Sequence, residues 1–202
     1  TALPLGLPYP YRNDLHFGAR WLDFAAHWTR RYEPEMFDEK LAELVRQRKP
    51  LSARKPVAFA DFSLNNSSQF APWGETRGQI AQQLAGNDAV QFLPGRVDQF
   101  SLYRLYGEHA FVLSPFGRGR DCYRTWEAIL MGAIPIVKTS PLDAAFEGFP
   151  VVLVENWSEI TAQNLVRWQA QHARAWEDGE VDRRLTLAYW VDRITAMAAA
   201  LH

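Results

Sequence analysis

At 202 residues and 23.2 kDa, with 48% hydrophobic and 22% charged residues, the chain has the composition of one globular domain or two small ones, with little room for extended disorder. A net charge of -1 and a pI near 6.5 exclude a broad nucleic-acid surface, which needs enough cations to displace counterions. No apolar run approaches the roughly 18 residues that span a bilayer, so no integral membrane segment is expected.

Residues 1–14, rich in Pro and Gly with scattered aromatics, read as an extended lead-in rather than a helix. Residues 1–10 lack the basic start and continuous apolar stretch of a signal peptide. A soluble, cytoplasmic protein is therefore expected, or a Golgi-lumenal or membrane-associated one if a longer parent chain carries it. Helical spacing follows at Arg20–Tyr32, with Trp21, Phe24, Ala25 and Trp28 on one face, and at Pro34–Arg48, with Phe37, Leu41, Leu44 and Val45 on one face. Residues 1–50 are thus expected to lead into and pack on a domain spanning 51–202.

Beyond Lys49, short β-rich runs alternate with helical segments. The runs are Pro56–Phe62, Ala89–Leu93, Ala110–Leu113, Ile134–Val137 and Val151–Val154. Between them lie Glu75–Ala85, Gln99–Tyr106, Tyr123–Met131 and a short turn at Leu142–Phe146; two closing helices, Ser158–Trp176 and Val181–Ala200, are separated at Asp178 and Gly179. Apolar strands alternating with helices predict a doubly wound α/β domain with a buried parallel sheet and right-handed crossovers.

Such a sheet binds ligands beyond the carboxyl ends of its strands, and each polar or glycine-rich cluster follows a strand: SLNNSS, PGR, SPFGRGRD, KTS and ENW. Ser114–Glu127 is the most informative, because strand, glycine loop and helix together let backbone N–H groups approach a phosphate. Gly117 and Gly119 would supply close approach or positive φ. The third glycine of the dinucleotide fingerprint and the Walker spacing are both missing, which excludes a standard NAD or ATP site. Trp126, Ile129 and Leu130 are spaced to face the sheet, while Arg124 and Glu127 share a neighbouring face toward the rim, as an intrahelical ion pair or as ligand contacts. A cation at a helix N-terminus opposes the dipole, so Arg124 gains little there without an anion. Asp121 is expected to be the N-cap.

The string SPFGRGRDCYRTWEAILMGAIPIV, with FPVVLVENWSEI downstream and LPLGLPYP and KPVAFADFSLNNSSQF upstream, resembles the donor-binding half of exostosin-like and ribitol xylosyltransferase-like glycosyltransferases of the GT-B architecture. The resemblance implies a Rossmann-like single GT-B half with flanking N- and C-terminal helices, binding a nucleotide-diphosphate sugar, UDP-linked ahead of GDP- or CMP-linked, for inverting transfer to a glycan or other hydroxyl acceptor. It implies that Glu127 contacts the ribose, that Arg124 holds the pyrophosphate and stabilises the leaving group, and that Ser114, Gly117 and Gly119 form the loop around the diphosphate or sugar. Asn65 and Arg77 join this set as rim residues, Asn65 and Asn66 otherwise serving as turn residues and Arg77 as a solvated helix-start arginine. No Asp-x-Asp pair occurs in the rim loops, so no metal and no cofactor beyond the nucleotide sugar is expected. A complete GT-B enzyme has a second, N-terminal domain that carries the acceptor site and usually the general base. This chain has room for one such domain, so the resemblance implies that it is expected to be an excised C-terminal half, or one whose acceptor domain lies on another polypeptide, or a non-catalytic binding or partner-docking module.

The remaining candidates are expected to be ordinary. One of Arg96, Arg118 and Arg120 touches phosphate and the others lie on the surface. His109 is structural, and the five histidines show no metal spacing. Most tryptophans pack cores, while Trp73, in a polar loop, is available for stacking on a base or sugar. Cys122, the single cysteine, would have a lowered pKa at a helix start only if exposed.

Overall fold

The structure, a computed structural model, describes residues 34–64, 74–95, 97–117 and 119–200. The helix expected at Arg20–Tyr32 lies outside them, as do Asn65, Asn66, Trp73, Arg96 and Arg118. The described elements are α1 (Pro34–Arg46), β1 (Lys55–Ala60), α2 (Arg77–Gln83), β2 (Val90–Phe92), α3 (Gln99–Glu108), β3 (His109–Leu113), α4 (Tyr123–Leu130), β4 (Ile134–Lys138), β5 (Val152–Val154), α5 (Ala162–Gln171), α6 (Glu180–Arg184) and α7 (Leu187–Ala199).

Five parallel strands pair in the order β2-β1-β3-β4-β5. Residue alternation separates the two faces. Ala58, Ala60, Phe111, Leu113, Ile134 and Ile136 point to one side, where Ile80 and Leu84 of the α2 region and Leu165 and Trp168 of α5 cover them. Phe59 and Val112 point to the other, against Phe100, Tyr103 and Tyr106 of α3 and Ala128 of α4. Both faces are therefore buried, which is why the strands read as short, nearly continuous apolar runs. This is a Rossmann-like α/β fold, and each of the five expected strands is present.

The expected face of α1, Phe37, Leu41, Leu44 and Val45, packs against the α3 side of the sheet. Phe37 and Phe100 rings stand 5.2 Å apart, and Arg48 donates to both Asp182 carboxylate oxygens, at 2.8 and 2.5 Å. At the opposite end of the sheet from the rim, the buried Arg54 donates to the Lys49 carbonyl at 3.1 and 2.8 Å. Burial lowers its pKa to about 10.

The closing helices are shorter than the periodicity predicts, and capping explains where they break. A 3-10 turn at Trp157–Glu159 is closed by an Asn156/Glu159 capping box, and Thr161 then starts α5 by accepting the Asn164 N–H at 3.2 Å. Gly179, at φ +72, makes the expected break before α6. A second break follows because the Thr186 hydroxyl donates to the Arg183 carbonyl at 2.7 Å and accepts from the Tyr189 N–H at 3.3 Å, ending α6 and capping α7. No helix among the described residues is long and apolar enough to cross a membrane.

Candidate functional site

The strand order reverses between β1 and β3: the chain leaves β1 toward β2 on one side and returns through α3 to place β3 on the other. The two connections diverge there, and it is beyond the carboxyl ends of such neighbouring strands that open parallel sheets bind ligands. Asp61 follows β1, Ser114–Gly117 follow β3, Arg77 opens α2, and Arg124 and Glu127 lie on α4. Arg77, Ser114, Gly117, Gly119, Arg124 and Glu127, scattered over fifty positions of sequence, are gathered by this topology.

Arg124 does not make the intrahelical ion pair with Glu127. Its Nε donates to Asp61 Oδ1 at 2.5 Å, and the Tyr106 hydroxyl donates to Asp61 Oδ2 at 2.8 Å. The Arg124 and Asp61 side chains are only 14% and 7% exposed, so the pair is largely shielded from water. Burial alone would lower the pKa of Arg124, but Asp61, and Tyr106 beyond it, hold it above its ordinary value. The anion that a cation needs at a helix N-terminus is thus supplied from within the chain. Among the described residues, the two terminal Nη groups of Arg124 have no hydrogen-bond acceptor.

Glu127 is 6% exposed. Its Oε1 accepts from Gln99 Nε2 at 2.9 Å and from the Tyr103 hydroxyl at 3.1 Å, and its Oε2 has no partner among the described residues. Burial pushes its pKa up to about 7, against the opposing pull of Arg124 and the Tyr103 hydrogen bond. Burial, followed by the charge of Glu127, raises the pKa of Tyr103; burial, followed by Asp61, raises that of Tyr106. Both phenols remain hydrogen-bond donors. Gln99, Tyr103 and Tyr106 recur at i, i+4 and i+7 on α3, one edge of an otherwise apolar face. That spacing, and an aspartate directly after an apolar strand, were the sequence signals for this network; neither Asp61 nor the α3 edge is among the residues predicted above.

No family model matches the chain, and no curated protein matches it either.

The glycine loop is tied from below. Ser114 is 1% exposed and its hydroxyl pairs with Thr125 Oγ1 at 2.9 Å, fastening the end of β3 to the first turn of α4. The Gly117 N–H donates to the Gly119 carbonyl at 3.0 Å. Neither glycine has positive φ. Gly117 serves close approach instead: a Cβ there would stand 3.1 Å from Arg77 Nη2 and 3.4 Å from Cys122 Sγ. Arg77 is no solvated helix-start residue, since its Nε and Nη2 donate to the Phe116 and Pro115 carbonyls at 2.9 and 3.3 Å. Burial and then the charge of Arg124 lower its pKa, which marks two guanidinium groups sharing one region. Gly117→Ala is expected to lose about 1 kcal/mol through this crowding, and a double-mutant cycle against Arg77→Ala in urea denaturation should recover most of the loss. Additive losses would show that the contact is not the cause.

Asp121 is not the N-cap of α4. Cys122 occupies that position without a side-chain cap bond, and Asp121 Oδ1 accepts instead from Trp126 Nε1 at 2.8 Å. Cys122 is buried, so the condition for a lowered pKa is not met, and burial raises it despite the nearby Arg124 and Arg77. His109 is structural: its Nδ1 and Nε2 meet the Leu105 carbonyl and Gln91 Oε1 at 2.7 and 3.2 Å, and its ring stacks on Phe59 at 4.7 Å. Trp126, Trp157 and Trp168 are core residues. Among the described residues no three His, Cys, Asp or Glu side chains converge as a metal site. Two cavities of about 370 and 270 Å³ beside the closing helices are lined by none of Asp61, Arg77, Arg124 and Glu127.

Proposed function

We propose that the chain is the donor-binding half of a glycosyltransferase, binding a nucleotide-diphosphate sugar, UDP-linked in the first instance, beyond the carboxyl ends of β1 and β3. The observation that carries this is Arg124: a shielded guanidinium at the switch point, fixed through Nε and with no acceptor among the described residues for its Nη groups. Arg77 adds a second cation, and the first turn of α4, uncapped by Cys122, adds N–H groups and a positive dipole end. Cleavage of a sugar–diphosphate bond leaves added negative charge on the diphosphate, and fixed donors stabilise that charge more strongly in the transition state than in the bound donor. Glu127 accepts the ribose hydroxyls through Oε2, its other oxygen being occupied by α3. These roles need no metal, and the acceptor is a glycan or other hydroxyl compound.

Calorimetry with UDP, GDP, CMP and UDP-sugars, with and without magnesium, tests this. A UDP ligand is expected to bind selectively without metal and to raise stability by about 2.7 kcal/mol at a hundred times its dissociation constant. Arg124→Lys, which keeps a cation for Asp61 but loses the planar fork, should weaken binding about tenfold or more. Glu127→Ala should weaken UDP more than inorganic pyrophosphate. No binding at millimolar UDP would overturn the donor assignment.

A second reading, a nucleotide-sugar-binding module without turnover, is favoured by two rim carboxylates whose oxygens are both engaged within the chain. Asp61 accepts from Arg124 and Tyr106, and Asp143 accepts from Thr139 and Ser140. Transfer or hydrolysis of a bound UDP-sugar by this chain would exclude it.

A further inference from the structure

The position of Asp61 is unusual for a site meant to attract anions. It puts a carboxylate, 7% exposed, directly against the arginine best placed to hold one. A purely structural partner would be expected to satisfy the guanidinium more fully, yet Asp61 takes only Nε at 2.5 Å and turns its second oxygen to the Tyr106 hydroxyl at 2.8 Å. Tyr106 is buried in the α3 side of the core, so it fixes Asp61 from behind. The Arg124 side chain is thereby anchored at one edge while its Nη groups keep their donors.

We propose that Asp61 is the resident counter-anion of the site, a positioning residue that aims Arg124 and also competes with ligand phosphate for it, so that Asp61 limits diphosphate affinity. This rests on the donor-site assignment. Two consequences follow. An aimed guanidinium loses less conformational freedom when a diphosphate arrives. A carboxylate one guanidinium away repels that diphosphate, more strongly in a shielded site than in water. The second effect speeds departure of the nucleoside diphosphate left after transfer, since affinity differences between related complexes lie mostly in the off-rate.

Asp61→Asn tests the balance because the amide oxygen can still accept from Arg124 Nε while the negative charge is gone. Pyrophosphate and UDP should bind at least about tenfold more tightly to the variant, and uridine, which carries no phosphate, should be unchanged. Loss of a merely structural residue would move affinity the other way or not at all, so the sign decides. If the variant is unfolded at rest, pyrophosphate should refold it and restore a cooperative melting transition. A variant that pyrophosphate cannot refold, or one that folds and binds no more tightly, overturns the inference. The two assignments fail separately. Wild-type binding of UDP with no gain in Asp61→Asn removes the counter-anion role and leaves the donor site standing, whereas a pyrophosphate gain without UDP binding by the wild type does the reverse. Absence of binding by both proteins removes both.

Discussion

Replacing Arg124 with alanine is expected to destabilise the chain by about 3–5 kcal/mol, the range for removing one partner of a buried ion pair. The loss comes less from the vanished attraction than from what stays behind. Asp61, with a side chain 7% exposed, would keep only the Tyr106 hydrogen bond and carry an unneutralised charge beside the ends of β1 and β3. The double substitution Asp61→Asn with Arg124→Gln should therefore be much more stable than Arg124→Ala, although it removes more of the native interaction. Urea denaturation of the three proteins decides this. A double variant as unstable as Arg124→Ala would mean that the packing of Arg124, not the orphaned carboxylate, dominates. For a chain of this size a loss near 4 kcal/mol lowers the melting temperature by roughly 8–16 °C. The alanine variant is consequently a poor reporter of ligand binding, and Arg124→Lys is the better one.

The fold was legible because its strands are buried on both faces and bounded by turn or cap residues. PVAFADF, AVQFL, AFVL, IPIV and VVLV each mark a strand to within a residue or two. Periodicity failed where local side-chain chemistry intervened: Thr161 and Thr186 interrupt apolar patterns that continue through them, and a hydroxyl accepting a nearby N–H ends or starts a helix regardless of that pattern. The site was legible in part. The spacing of Arg124 and Glu127 placed both near the rim but suggested that they face each other, whereas Arg124 engages Asp61, 63 residues upstream, and Glu127 engages Tyr103, 24 residues upstream. Only the switch in strand order brings β1 and α3 to α4, and a helical-face argument sees neighbours within one helix alone. The same holds for Asp121, whose spacing before α4 suits an N-cap but whose Oδ1 accepts from the Trp126 indole instead.

Glu127 gives the second large effect, and its sign follows from linkage. Its pKa, 4.5 as an ordinary carboxyl, stands at about 7 in the folded chain, with burial as the main cause. Between these values the folded state binds more protons than the unfolded one, so stability falls as pH rises. The contribution is fully present below about pH 4.5 and is lost once pH passes about 7, a total on the order of 3 kcal/mol. Glu127→Gln keeps a side-chain oxygen for Gln99 and Tyr103 but never ionises. It is expected to be more stable than wild type by up to about 3 kcal/mol at pH 8 and by less than about 1 kcal/mol at pH 5, with a flatter stability profile between. Denaturant titrations at pH 5, 6, 7 and 8 check this, and a constant offset across them would show that Glu127 does not titrate in that window. A carboxylate retained where its amide is more stable fits a functional demand. Ribose hydroxyls donating to Oε2 would favour the ionised form, so UDP binding should lower the pKa of Glu127 and release a proton near pH 7. Calorimetry in buffers of different ionisation enthalpy would detect that proton in wild type and miss it in Glu127→Gln. Release from both proteins would place the titrating group elsewhere.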